Sequence, residues 1–392
     1  MFIADQEEID ALARVIHSKS LFRYGIGKEC ERFEQRYARH LGVSHFALAA
    51  SGSNALAAAL TALGLGPGDE VLIPAHTYMA TATSVLSVGA IPVIVDIDES
   101  LTIDPAAVDA AVGPCTKAVI PVHMWGAACD MGSIMAVAER HGLLVIEDAC
   151  QGVGGSYDGR KFGSIGQAGV FSFNYYKNMT SGEGGGVATS DERVAERVRC
   201  AIDPCNYYWR GHSDVLPFSS NGARASELMG AMLNVQLDRL EGMIEAMRTE
   251  RRIILEALNS LHNLGLRPTR ANSFDHDCAT QVMFTLPSAT AAEKFVEHYP
   301  AVIAAKTGRH TYTEWDQILQ GQGAAHPAMN PYLMDANAPC RKTYSKEMCA
   351  RSLEILGRTI MIPMHPLHTK EVIQDMVERI ETAAQKSLAD TH

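Results

Sequence analysis

The sequence predicts an α/β fold: a mostly parallel seven-stranded sheet followed by a smaller C-terminal α+β domain. Three observations carry that expectation. Short apolar runs of strand length recur seven times between residues 46 and 188. Stretches with apolar residues at helical spacing separate many of them, and this alternation builds a parallel sheet with helices on both faces. After about residue 250 the pattern changes, and residues 307–340 are rich in His, Pro, Asn and Gly.

Residues 1–25 read as an arm too short to be a domain, with a helix-compatible stretch over 5–18. Residues 31–41 have apolar positions at helical spacing. Strands are then expected at 46–50, 71–74, 92–96, 118–122, 143–147, 168–173 and 185–188. Helices are expected at 54–63, 79–88, 105–112 and 131–141. From 226 to about 258 the spacing predicts one long helix, with Glu241-Gly242 as a candidate break. A boundary near 250 divides a large domain, 26–250, from a small one, 251–392. The latter holds a strand at 281–286, a helix at 291–299 and a last helix at 370–386.

At 392 residues the chain is long enough for this two-domain arrangement. Hydrophobic content of 47% and charged content of 20% are ordinary for a globular protein and leave little room for long disorder. A net charge of -11 argues against a nucleic-acid surface. The nine cysteines are scattered, odd in number and without a CxxC pair, so a disulfide scaffold is disfavoured. No cationic, apolar leader follows Met1 and no run reaches the length of a membrane span. These features point to a reduced, cytoplasmic protein.

The residues that suggest chemistry lie at strand ends, where ligands bind in open α/β sheets. The run 143–146 ends in Glu147-Asp148, and the strand over 168–173 brings a hydroxyl at Ser172 and, five residues on, an amine at Lys177. A carboxylate and an amine so placed suit pyridoxal phosphate (PLP). The lysine can form a Schiff base with the cofactor aldehyde, and the carboxylate can hold the pyridine nitrogen protonated. Ser51-Gly52-Ser53-Asn54, between a strand and a helix, offers N–H groups and a hydroxyl to a phosphate, or is simply a good N-cap. Asp148 alone would equally suit a metal ligand or a helix cap.

Together these motifs make residues 20–240 resemble the StrS-type (DegT/DnrJ/StrS) sugar aminotransferases. The matching stretches are Ser51-Gly52-Ser53-Asn54-Ala55-Leu56, Pro74-Ala75-His76-Thr77-Tyr78 and Glu147-Asp148-Ala149-Cys150-Gln151. Phe171-Ser172-Phe173 with Lys177-Asn178, and Gly182-Glu183-Gly184-Gly185, follow in order. The resemblance implies the aspartate-aminotransferase fold (fold type I), PLP and a homodimer whose site a second subunit completes. It implies Lys177 as the Schiff-base lysine and proton carrier, and Asp148 as the partner of the pyridine nitrogen. Gly52, Ser53 and Ser172 would hold the phosphate, with Asn54 adding a backbone N–H. Tyr78 would stack on the ring and Gln151 would lie near its oxygen or face.

The family's Asn-X-Arg run departs here to Asn221-Gly222-Ala223-Arg224, with Asn221 one residue farther from Arg224. The resemblance implies that Asn221 reaches the phosphate of the neighbouring subunit, with Gly222 giving the backbone freedom, and that Arg224 is structural or interfacial. His123 would meet substrate or hydrogen-bond locally. His310, His326, Asn330 and Tyr332 suit a substrate lid or an ordinary loop, and Arg210 and Arg309 suit either pairing with a carboxylate or phosphate or a solvated surface. His212, His365 and His368 have no metal-ligand spacing, and no metal is expected. The reaction expected is ping-pong transfer of an amino group from glutamate or glutamine to a keto group on a sugar, sugar acid or cyclitol. A sugar dehydratase of the same family carries histidine in place of the lysine, and a regulatory protein of this fold would lack the lysine or the aspartate. Lys177 and Asp148 are both present.

Overall fold

A computed structural model describes residues 3–211, without the side chain of Arg210, and residues 214–388. His212 lies outside the described residues. Five strands open the main sheet: β1 (His45–Ala49), β2 (Glu70–Pro74), β3 (Ile91–Val95), β4 (Thr116–Val119) and β5 (Leu144–Asp148). A two-residue hairpin, β6 (Ser156–Tyr157) and β7 (Arg160–Lys161), precedes β8 (Ala168–Ser172) and β9 (Gly185–Thr189). The seven-stranded order is β1-β9-β8-β5-β4-β2-β3. Strands β8, β5, β4, β2 and β3 pair in parallel, and β9 runs antiparallel to both its neighbours. Strands β2, β3 and β8 are buried along their whole length, which is why they appear in the sequence as apolar runs.

Helices α1 (Gln6–Ser18) and α2 (Glu29–Leu41) precede the sheet, and α3 (Gly52–Ala62), α4 (Ala80–Ser87), α5 (Pro105–Ala111) and α6 (Met131–His141) connect its strands. After β9 come α7 (Glu192–Ile202), the short α8 (Asn206–Arg210) and the long α9 (Glu227–Ala257). Helix α9 is the one long helix that the spacing predicts, and it runs unbroken through the candidate break at Glu241-Gly242. Leu240, Met243 and Ile244 are buried on either side, and Glu241 pairs with Lys161 at 2.5 Å. This packing outweighs the ~1 kcal/mol that a glycine costs inside a helix.

A second, four-stranded antiparallel sheet has the order β10 (Arg267–Pro268), β11 (Gln281–Thr285), β13 (Thr359–Pro363), β12 (Val302–Ile303). Helices α10 (Ala289–His298) and α11 (Lys370–Leu388) pack on each other beside it. The irregular stretch after β12 returns to the main sheet. Tyr312 and Trp315 are buried in its core, and the Tyr344 hydroxyl donates to Pro92 O at 2.7 Å. Among the described residues no helix is long and apolar enough to cross a membrane.

Candidate functional site

The site begins at the C-terminal end of β5. Asp148 is its last residue and is 4% exposed. One carboxylate oxygen accepts from the Thr81 hydroxyl at 3.0 Å and the other from the Cys150 N–H at 3.1 Å. Both donors fix the plane of the carboxylate. Its neighbour Glu147 is wholly structural. This side chain accepts the N–H groups of Gly163, Ile165 and Gly166 and a hydrogen from His123 Nε2 at 3.1 Å. His123 is buried against the Phe162 ring at 3.9 Å and accepts from the Cys129 N–H. Of its two expected roles, the local one is the one the geometry gives.

Next to β5, strand β8 ends in Ser172, beside the start of α3. A Cβ placed on Gly52 would lie 2.8 Å from Ser172 Cβ and 3.1 Å from Cys150 Sγ, so the backbone approaches Ser172 closely only because residue 52 is glycine. Ser51 caps α3 by accepting the Asn54 N–H at 3.2 Å. That amide is thus engaged by the cap, whereas Gly52 and Ser53 stand in the first turn, where N–H groups lack intrahelical acceptors. A helix start so arranged receives anions.

Between these strand ends and the second sheet lies a cavity of about 400 Å³. Lys177, Cys150, Gln151 and Tyr78 line one side, and Thr280, Gln281, Arg309 and His310 another. Asn178, which donates to Val153 O at 2.9 Å, anchors the turn that carries Lys177. Burial lowers the Lys177 amine from the ordinary lysine range, while Cys150 and Asp148 act to raise it. The neighbours Tyr175 and Tyr176 are 62% and 66% exposed. Asn221 is exposed and lies outside the lining of this cavity. The Ala50 N–H donates to Ala223 O at 2.8 Å, and Ala49 bridges Arg224, which holds the Asn221 loop beside the Ser51 turn. Arg224 pairs with Asp203 at 3.1 Å and lies over the Phe22 ring.

Loop 309–312 joins the site by pairing with residues 75–79. The N–H groups of Thr77, Met79 and Tyr312 donate to His310 O, Arg309 O and Ala75 O. The Arg309 guanidinium lies 5.6 Å from the Tyr78 ring centroid. Asn330, by contrast, is buried and satisfied by Gly323, Tyr332 and Gly321, as a loop residue rather than a lid. Tyr332 is buried in the core of the main sheet, and His326 accepts the Ala328 N–H at its own short turn. His365 and His368 gather at Glu250. No cluster of potential metal ligands occurs among the described residues.

Three participants went unrecognised in the sequence. Thr81 and Thr77 support Asp148, and their i, i+4 spacing was the available signal. Trp125 lines the cavity with its backbone in the left-handed region at φ 53°. Its indole N–H donates to His76 Nε2 at 3.3 Å, its amide donates to Gln151 Oε1 at 3.2 Å, and its carbonyl accepts from the Thr280 hydroxyl. Such strain persists where surrounding contacts hold it.

Burial holds the His76 imidazole down at about 4, against an ordinary 6.5, and burial likewise holds His310 at about 4. Between these values the unfolded chain takes up protons that the folded chain refuses, so stability falls as pH drops from 6.5 to 4. For the fully buried His76 the cost is on the order of 3 kcal/mol. Calorimetric melting midpoints should decline across that window, and His76→Asn should flatten the decline; an unchanged slope would contradict it.

The donor set fits PLP: an anion-receiving helix start at Gly52 and Ser53 with Ser172 against it, a carboxylate at Asp148, an amine at Lys177, and an aromatic face at Tyr78. Comparison with known proteins agrees with this fit. The sequence pattern of the DegT/DnrJ/EryC1/StrS aminotransferase family matches residues 3–381. GDP-perosamine synthase of Caulobacter vibrioides is 39% identical over 250 residues, 62% of this chain and 65% of that protein. L-glutamine:2-deoxy-scyllo-inosose aminotransferase of Streptomyces kanamyceticus is 37% identical over 67% of this chain and 64% of that protein. A pleiotropic regulatory protein of Geobacillus stearothermophilus is 40% identical over 61% and 65%. The matched segments thus span just under two thirds of these curated relatives. Among solved structures, an aminotransferase from Psychrobacter cryohalolentis superposes with a TM-score of 0.78 at 27% identity, covering 97% of each chain. A DegT DnrJ EryC1 StrS aminotransferase from Brucella abortus gives 0.75 at 26%, covering 96% and 95%. The fold is that of the fold type I PLP aminotransferases.

Proposed function

This chain belongs to the DegT/DnrJ/EryC1/StrS aminotransferase family, and from that premise we propose that it is a PLP-dependent aminotransferase. It moves an amino group from glutamate or glutamine to a keto group on a sugar, sugar acid or cyclitol. The observation that carries this reading is the Lys177 amine at a cavity whose wall at Cys150 and Gln151 follows directly on the buried Asp148, a carboxylate near enough to act on the amine.

When bound, PLP supplies an aldehyde that captures amines and a ring that accepts electrons. Lys177 would hold it covalently, and the same amine, when free, would carry the proton that leaves the substrate carbon in one half of the reaction and returns in the other. Its lowered proton affinity suits both tasks, because only the neutral amine is a nucleophile or a base. Asp148 would partner the ring nitrogen, and Tyr78 would supply an aromatic face to the ring. Gly52, Ser53 and Ser172 would hold the phosphate, with Asn54 at the same turn. Gln151, fixed by the Trp125 amide, would border the ring. Arg309 makes no ion pair among the described residues and faces a cavity with no carboxylate in its lining, which suits an anionic group on a substrate. Over a full cycle the donor carbon becomes a ketone and the acceptor ketone becomes an amine.

A regulatory reading is favoured by one relative's name, but both chemical groups are retained here. Protein loaded with PLP and mixed with glutamate or glutamine, without acceptor, should release one keto acid per cofactor in a single burst. No keto acid from either donor would sink the proposal.

We also infer a homodimer. Tyr24 stacks on Trp209 and Phe22 meets both edge-on in an aromatic cluster at the surface, and Ile26 and Leu216 in the same two segments are 93% and 86% exposed. Apolar side chains so exposed suit burial by a second copy, which would also receive Asn221. Sedimentation should give a dimer at micromolar concentration; a fully active monomer would contradict this. All nine cysteines are free, which supports a reducing compartment such as the cytoplasm.

A further inference from the structure

We propose that Thr81 is a positioning residue for Asp148, and that Thr77 acts behind it to form a two-hydroxyl chain that holds the carboxylate toward the ring nitrogen of the cofactor. This rests on the aminotransferase reading above.

All three side chains are sealed from solvent: Thr77 and Thr81 are 0% exposed and Asp148 4%. The Thr81 hydroxyl lies 3.0 Å from Asp148 Oδ2 and the Thr77 hydroxyl 2.7 Å from the Thr81 hydroxyl. The direction of the chain follows from valence. A threonine hydroxyl has one hydrogen, and the carboxylate oxygen must receive it from Thr81. Thr77 must then donate to Thr81. Each donation polarises the next, which strengthens the bond that reaches the charge. A threonine near a helix start ordinarily returns its hydrogen to a carbonyl one turn back. Thr81 instead directs it out of α4, across to the end of β5.

The Thr77 end of the chain is also fixed. Its N–H donates to His310 O at 2.9 Å, within the pairing between residues 75–79 and loop 309–312. The group that orients Asp148 is therefore built into the strip of backbone that carries Arg309 and His310 into the cavity. With one oxygen taken by Thr81 and the other by the Cys150 N–H, the carboxylate cannot rotate without breaking a buried bond. It therefore keeps one orientation while substrates enter and leave.

The test uses the full chain loaded with PLP labelled with ¹⁵N in the ring, in wild type, Thr81→Val, Thr81→Ser and Thr77→Val. Valine keeps the shape and removes the hydrogen. In Thr81→Val the ring-nitrogen resonance should move toward that of a neutral pyridine and kcat should fall about tenfold, with KM for the donor unchanged. Thr81→Ser should restore both, and Thr77→Val should show a smaller change in the same direction. The proposal is overturned if Thr81→Val leaves the resonance in place. It is also overturned if Thr81→Ser is as impaired as Thr81→Val, since packing alone would then explain the effect. A wild-type protein that retains no labelled cofactor overturns the aminotransferase reading itself, and a retained cofactor with an unmoved resonance overturns this inference alone.

Discussion

Replacing Lys177 by alanine should lower amino transfer by on the order of 10⁴-fold, the upper range for removing a positioned proton carrier. The fold should survive. The Lys177 N–H donates to Asn174 O through the backbone, and Asn178 anchors the turn independently of the amine. Removing a cation whose proton affinity burial already lowers leaves no buried partner unsatisfied, so the melting midpoint should stay close to that of wild type. Lys177→Arg gives the sharper contrast, because a guanidinium keeps its charge at any working pH and cannot serve as a neutral base. Both variants should be equally inactive in the burst assay. An arginine variant with substantial activity would mean that charge alone is needed at this position and that the proton moves elsewhere.

The second large effect is expected at Asp148. Asp148→Asn should reduce kcat by about 10²–10³-fold, the range for losing a preorganised electrostatic group in an enclosed site. It should do so with little loss of stability, since the amide oxygen can still accept one of the two existing bonds. Asp148→Ala should lose as much activity and also melt at lower temperature. It leaves the Thr81 hydroxyl and the Cys150 N–H without acceptors in the interior, at about 1–3 kcal/mol for each unsatisfied group. The separation matters: equal kcat in the two variants with unequal stability assigns the catalytic loss to charge. If Asp148→Asn kept wild-type kcat, Asp148 would be structural, as Glu147 is.

The parts of this molecule written in local pattern were legible before any coordinates. Strands β2, β3, β5 and β8 are buried on both faces, so each shows as an apolar run, and the residues at their ends stand out against it. The α3 cap and the β8 terminus were legible for the same reason. What escaped depends on distant parts of the chain. Thr81 looks like any small helix residue until β5 brings Asp148 against it, 67 positions away. The left-handed backbone at Trp125 has no composition signal because the surrounding bonds impose it. The irregular stretch after β12 lacks periodicity because single long-range contacts hold it. Arg341 pairs with Glu70, and Asn337 accepts the Gly68 N–H at 2.5 Å. His123 was undecided in the sequence for a related reason, since its partner Glu147 and its stacking ring Phe162 come together only in the fold.

The central claim is that Lys177 holds PLP at this site, and it is tested most directly by trapping the bond. The purified protein, incubated with PLP, reduced with borohydride and digested, should yield one peptide whose mass is raised by a phosphopyridoxyl group, with fragmentation placing it on Lys177. Glutamate or glutamine added before reduction should remove that label. A label on another lysine, or none at all, would contradict the account.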